Sequence, residues 1–178
     1  MHESDTIVAV ATPKGESALA MLRATGPECE SLCRTVFKHK GPLLPRHAYY
    51  DAYRSVDGES LDDVIYCFFK GPRSFTGEDI LEISCHGSIF IQESIIQLLL
   101  NHNCRVANPG EFTMRSFLNG KMDLSQAESV ADLISSENKV AHQTYINQLK
   151  GGFSKNIKKL REELVNFASL IELELDFS

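Results

Sequence analysis

Apolar and polar positions change their period along this chain. Up to about residue 107, short runs of period two alternate with two stretches of period near 3.6; beyond residue 124 only the helical period remains. Thr6 to Thr12 (TIVAVAT) and Ala18 to Thr25 (ALAMLRAT) read as strands, separated by a Pro13-Lys14-Gly15 break and ended by Gly26-Pro27. From Pro27 to Lys38, Cys29, Leu32, Cys33 and Val36 recur at helical spacing, with Pro27 and Glu28 suited to a helix start. His47 to Ser55 and Asp63 to Lys70 are two further strands; Val56-Asp57-Gly58-Glu59-Ser60 between them carries the Asp-Gly pair of a hairpin turn.

In Asp79 to His86 (DILEISCH) strict alternation puts Leu81, Ile83 and Cys85 on one face and Ile80, Glu82, Ser84 and His86 on the other. Ser88 is placed to cap a helix reaching Asn101, with Ile91, Ile95, Leu98 and Leu99 on its apolar side, and Cys104 to Ala107 adds a short strand. Strands in a hairpin mixed with two helices predict an α+β domain around a mixed sheet, not a doubly wound parallel one.

The remainder reads as helix. Asp123-Leu124-Ser125-Gln126 has the form of a capping box, and Leu124, Ala127, Val130, Ala131 and Ile134 make one stripe of a helix over 124–136. Apolar residues at Ile146, Leu149, Phe153, Ile157, Leu160, Leu164, Phe167, Ile171 and Leu175 then step by three and four, predicting one long helix or two broken at Gly151-Gly152. That stripe runs almost to Ser178 with no later helix to cover it, so the expectation is that the natural chain continues or that the helix packs on a partner.

Composition narrows the class. The 178 residues are 43% hydrophobic and 24% charged, as in an ordinary globular protein, and no run of about 18 apolar residues predicts a membrane span. The N-terminus carries His2, Glu3 and Asp5 rather than a basic and apolar leader, which predicts a cytoplasmic protein. Five scattered cysteines fit buried thiols in a reducing compartment; Cys29 and Cys33 lack a second pair to complete a zinc site, and no metal is expected. A net charge of -6 is the wrong sign for a broad nucleic-acid face, so any RNA contact is expected to be local or made elsewhere in the protein. No Gly-x-x-x-x-Gly-Lys-Ser/Thr phosphate loop occurs, so this segment is not expected to hydrolyse nucleotides; no Ser/His/Asp or dinucleotide motif stands out, and the catalytic residues stay unknown.

An ordered set of strings nevertheless resembles the MnmE (TrmE) family of tRNA-modifying GTPases. These are Asp5-Thr6-Ile7-Val8-Ala9 with Ala11-Thr12-Pro13, GPRSFTGEDILE from Gly71 to Glu82, His86-Gly87, NPGEFTMRSFLNGKMDLSQAESVADLI from Asn108 to Ile134, LKGGFS from Leu149 to Ser154, and Glu174-Leu175-Asp176-Phe177. The resemblance implies a folate-binding, dimer-forming domain related to aminomethyltransferase-type domains over residues 1–119. The start of a helical domain follows over 120–178, with the GTP-, Mg2+- and K+-binding G domain outside this chain. It further implies a tetrahydrofolate derivative, 5-formyl- or 5,10-methylene-, as one-carbon carrier. An FAD-dependent partner of the MnmG (GidA) family would join in modifying C5 of wobble uridine in tRNA.

Arg23, Glu82 and Lys121 match the family's folate contacts. The residue types suit that role: a carboxylate can accept from the adjacent ring N-H and exocyclic amino group of a pterin, and two cations complement an anionic tail. From pattern alone the same three are surface charges. His86 reads as a hydrogen-bonded structural histidine before a catalytic base, and Gly77-Glu78-Asp79 equally as a turn or as backbone contacts to the ligand. Lys14 to Ala20 departs from the glycine-rich stretch usual in the family, which raises the question of weaker binding. The cluster Lys150, Lys155, Lys158, Lys159 and Arg161 reads as a solvated helix face rather than a tRNA contact. Two other readings stay open: a dimerisation scaffold without folate, and a stand-alone aminomethyltransferase-like enzyme.

Overall fold

The computed structural model describes residues 5–54 and 58–176, the side chains of 174–176 excepted. The predicted turn residues Val56 and Asp57, and the closing Phe177 and Ser178, lie outside the described residues. The chain divides into two compact units, Met1–Lys121 and Met122–Ser178.

The first unit is built on six strands: β1 (Thr6–Val10), β2 (Ser17–Thr25), β3 (Ala48–Arg54), β4 (Ser60–Phe69), β5 (Ile80–Gly87) and β6 (Cys104–Val106). They lie in the order β3-β4-β5-β2-β1-β6. Every neighbouring pair is antiparallel except β1 with β6, so the sheet is mixed and the α+β reading holds. Alternation decides its faces. Ala20, Leu22 and Ala24 of β2, Val64, Tyr66 and Phe68 of β4, and Leu81, Ile83 and Cys85 of β5 all turn to one side and are buried. Two helices supply the other half of that core: α1 (Cys29–Thr35) through Cys29, Leu32 and Cys33, and α2 (Ile89–Leu100) through Ile95 and Leu99. Burying a side chain of this size contributes about 1.5–3 kcal/mol, which is why the period-two and period-3.6 patterns converge on one layer.

Several local expectations are corrected. Ser88 stands at the N-cap of α2 but its hydroxyl makes no capping bond. Ile80, placed by alternation on the more polar side, is buried, because the loop before it folds back over that end of the sheet. Four of the cysteines are buried free thiols but Cys67 is only half-buried. Burial pushes the Cys33 thiol up to about 12, so it is a core thiol rather than a reactive one.

A third helix, α3 (Glu111–Leu118), follows β6 and was not marked out by any apolar stripe. It is inverted: Glu111, Arg115 and Ser116 are buried, while Met114, Phe117 and Leu118 are exposed. The buried side is a charge network. Arg105 Nη2 and Nη1 reach Glu111 Oε1 and Oε2 at 2.5 and 2.8 Å, and Arg115 reaches Asp5 Oδ1 at 2.5 Å and Glu78 Oε2 at 3.2 Å. The hydrogen bond from Arg105 leads the causes that hold Glu111 down at about 2, so Glu111 and Arg115 are buried as ions compensated by each other and by the part-exposed Asp5 and Glu78 and the exposed Arg105.

The second unit contains α4 (Leu124–Ile134), α5 (Lys139–Leu149) and α6 (Gly152–Asp176). The capping box is present in full: Asp123 Oδ1 accepts from Gln126 N, and Gln126 Oε1 accepts from Asp123 N. Of the two patterns expected for the last segment, the broken one is realised, with Gly151 at φ +76° between α5 and α6. The α6 stripe is solvent-facing in this chain: Phe153, Ile157, Leu160, Leu164, Phe167 and Ile171 are all exposed.

Candidate ligand site on the open sheet face

The face of the sheet opposite α1 and α2 carries the odd-numbered residues of β2 and the even-numbered residues of β5. Arg23 and Glu82 stand directly opposite each other there. Arg23 Nη2 and Nε lie 2.6 and 2.9 Å from Glu82 Oε1, and both side chains are partly exposed. Glu82 Oε2 accepts no protein hydrogen bond among the described residues. Half of the carboxylate is thus committed to an arginine and half is presented outward. Beside the pair lies Cys67 of β4, opposite Glu82 in register; burial and then the Glu82 charge raise its thiol.

One end of this face is closed by the loop 70–79, and its sequence shows why the loop is rigid. Asp79 accepts from Gly71 N and from Lys70 Nζ, both at 2.9 Å, sealing the base. Thr76, fully buried, bonds Thr25 of β2 through its hydroxyl at 2.6 Å. Ser116 Oγ donates to Phe75 O at 2.6 Å and Asn119 Nδ2 to Thr76 O at 2.8 Å, so α3 and its C-terminal turn hold the loop from the far side. Glu78 accepts from Thr25 and Arg115. Glu78 and Asp79 therefore serve the loop's own bonds, which favours the turn reading of Gly77-Glu78-Asp79.

Lys121 touches neither Arg23 nor Glu82. Its ammonium donates to Pro72 O at 2.9 Å, an exposed contact on the same loop. Its stem lies across Gly77, where φ is +83° and an added Cβ would stand 3.2 Å from Lys121 Cγ. The structure thus brings two of the three sequence-derived residues into contact, and sets the third on the loop that flanks them. Phe75 was quoted within GPRSFTGEDILE but not singled out: its ring centroid is 5.4 Å from Arg23 Cζ.

His86 ends the exposed side of β5. Its Nδ1 is 2.5 Å from Asp62 Oδ1 and its backbone N–H donates to Asp62 Oδ2 at 2.8 Å, just where pairing of β4 with β5 stops. The Asp62 carboxylate takes the place of the missing ladder partner, which agrees with a structural histidine, and the same hydrogen bond raises the imidazole above its ordinary value.

A cavity of about 900 Å3 lies elsewhere in the first unit, between Lys14, Gly15, Ile89, Gln92, Val106 and Phe112. Arg23, Glu82 and Lys121 do not line it. Its walls are mostly apolar, with Lys14, Glu93, Gln92, Gln97 and Asn108 among them, but no hydrogen-bonded ion pair like Arg23–Glu82 is seen there among the described residues, so the open face has the better-defined chemistry for a polar heterocycle. Lys14 and Gly15, part of the departing stretch, border this groove rather than the Arg23–Glu82 pair.

Among the described residues no cluster of His, Cys, Asp or Glu has the arrangement of a metal site, and no helix is long and apolar enough to cross a membrane. Fold and site together define an α+β ligand-binding type of domain with a charged pair on its open face, joined to a helical unit. The sequence model described as "GTP-binding protein TrmE N-terminus" matches residues 6–121, and that of the "MnmE helical domain" matches residues 124–178. The chain belongs to the MnmE (TrmE) family. It is 56% identical over 182 residues to a protein of Flavobacterium johnsoniae named "tRNA modification GTPase MnmE", covering 100% of this chain and 39% of that relative. Proteins of the same name from Cytophaga hutchinsonii and Christiangramia forsetii are 51% and 53% identical, covering 99% and 100% of this chain and 39% and 38% of theirs. The chain spans about two fifths of the length of these relatives.

Proposed function

We propose that this chain is the folate-binding, dimer-forming N-terminal part of a tRNA modification GTPase, with the start of its helical domain. The observation that carries the reading is the Arg23–Glu82 pair, in which one carboxylate oxygen is engaged and the other presented on an open face. A tetrahydropterin offers a ring N–H and an amino group side by side; Glu82 Oε2 accepts one, and Oε1 shares itself between the second and Arg23. Lys121, whose ammonium makes a single exposed contact, to a carbonyl, among the described residues, can turn to an anionic or carbonyl group of the ligand.

In the full-length protein this part holds the one-carbon carrier, 5-formyl- or 5,10-methylene-tetrahydrofolate, for modification of C5 of wobble uridine in tRNA. An FAD-dependent MnmG (GidA)-type protein is the partner, in the cytoplasm. GTP hydrolysis belongs to segments beyond this chain. Residues 1–119 form the folate and dimerisation domain, and Leu19, Tyr50 and Ile65, exposed on the open side of the sheet, supply apolar area for a second copy.

Calorimetric titration of this chain with 5-formyltetrahydrofolate tests the reading, with the Glu82→Ala variant alongside. Binding by the wild type that the variant loses is the expected result. A folded wild type that takes up no folate would leave only a scaffold role, and sedimentation as a monomer would remove the dimer.

A further inference from the structure

Phe75 is a part-exposed aromatic on a firmly held backbone. Its own carbonyl is fixed by Ser116 Oγ at 2.6 Å, and the next residue, Thr76, is 0% exposed and bonded to Thr25. A backbone locked this firmly could have turned the ring inward, yet Phe75 is 38% exposed. The part of it left open is aromatic surface in a fixed position, available to pack against a flat ligand.

Arg23 covers it only in part. The guanidinium carbon stands 5.4 Å from the ring centroid, within cation–π reach, and Phe75 is still 38% exposed, so part of its surface stays open. Both bonds from Arg23 fall on Glu82 Oε1. A planar group that hydrogen-bonds the outward Oε2 therefore lies beside the guanidinium, edge to edge around one carboxylate. The aromatic surface that flanks the first flat group is then next to the second.

Resting on the folate reading above, we propose that Phe75 is the stacking wall of the site: its exposed ring packs against the pterin whose edge Glu82 holds, and it selects for a flat heterocycle over other polar ligands. The loop 70–79 is the device that presents it. Asp79 seals that loop and Ser116, Thr25 and Asn119 brace it, so the ring is placed before the ligand arrives and little ordering cost falls on binding.

The test compares wild type, Phe75→Leu and Phe75→Tyr in calorimetric titrations with 5-formyltetrahydrofolate, together with the difference absorption of the ligand's pterin band. Stacking perturbs that band, whereas packing of Phe75 on Arg23 alone does not. The expected result is a loss of about tenfold in affinity in Phe75→Leu with loss of the band shift, and retention of both in Phe75→Tyr. Leucine binding as well as phenylalanine, or tyrosine falling as far as leucine, would overturn the proposal. So would an unshifted pterin band in ligand bound to the wild type, which needs no variant. Absence of any folate binding by the wild type is a different result and removes the parent reading instead.

Discussion

Arg23 and Glu82 meet across the β2–β5 ladder with both arginine bonds on a single carboxylate oxygen, Oε1. The free protein thus orients Glu82 while leaving Oε2 outward. Glu82→Gln preserves the shape but replaces a charged acceptor with a neutral amide. Its affinity for 5-formyltetrahydrofolate is expected to fall on the order of 10- to 100-fold, since hydrogen bonds to a charged group contribute about 1.5–3 kcal/mol. Isothermal calorimetry reads this directly, and an unchanged constant would move the ligand off this face.

Arg115 joins the buried Glu111 and the part-exposed Asp5 and Glu78. Arg115→Met leaves Asp5 and Glu111 to Arg105 and takes the cation from Glu78. Breaking a fully buried pair costs about 3–5 kcal/mol, and with Asp5 and Glu78 part-exposed the loss here is expected at the lower end, about 3 kcal/mol. Urea denaturation should show that loss. A change under about 1 kcal/mol would mean that Arg105 alone suffices.

The same network makes the fold acid-sensitive. Glu111 is held at about 2, first by the hydrogen bond from Arg105, and Asp5 is also lowered, its burial outweighed by hydrogen bonds from Arg105 and Arg115. A depressed carboxylate stabilises the fold above its unfolded value, near 4.5 for Glu111, and that contribution disappears as pH falls toward 2. Melting temperature should therefore fall steadily between about pH 4.5 and 2, and the slope should be shallower in Glu111→Gln.

His86 titrates in the opposite sense. Its hydrogen bond to Asp62 raises the folded value, so the imidazolium's contribution to stability is present below the unfolded value, near 6.5, and is lost as pH rises through the folded one. Proton NMR should place the His86 midpoint above 6.5, and Asp62→Asn should bring it back toward the ordinary value.

Gly87, the last residue of β5, has no room for a side chain: a Cβ would fall 2.2 Å from both Ser17 O and Ser17 Oγ. Gly87→Ala must push β2 away at its first residue. A loss of about 1–3 kcal/mol in denaturant midpoint is expected, as for overpacked positions, whereas Gly15→Ala meets no atom within 4 Å and registers only its backbone strain at φ +128°.

The strands and the first two helices were legible because each buries an apolar face at its own period; Leu81, Ile83 and Cys85 are the clear case. Helix α3 escaped for the converse reason. Its buried side consists of Glu111, Arg115 and Ser116, and no hydrophobic periodicity encodes a helix that faces inward with charge. In α4 the box residues Asp123 and Gln126 were readable one by one, yet the expected stripe ends on Leu124 and Ile134, both exposed. The Arg23–Glu82 contact depends on a register between strands 59 residues apart. Periodicity places each residue on a face but gives no pairing between strands, so only family resemblance could name both.

The first strand is finished from the far end of its unit. β1 pairs with β2 locally, but its other edge is taken by Cys104, Arg105 and Val106, and Asp5 waits for Arg105 and Arg115, partners 100 and 110 residues downstream. On a ribosome delivering the chain from its N-terminus, Thr6 to Val8 must wait with one edge unpaired until almost the whole unit has emerged. Closure of the sheet is then a late, concerted step. A release of the chain before β6 would leave the outer edge of β1 as a template for another molecule.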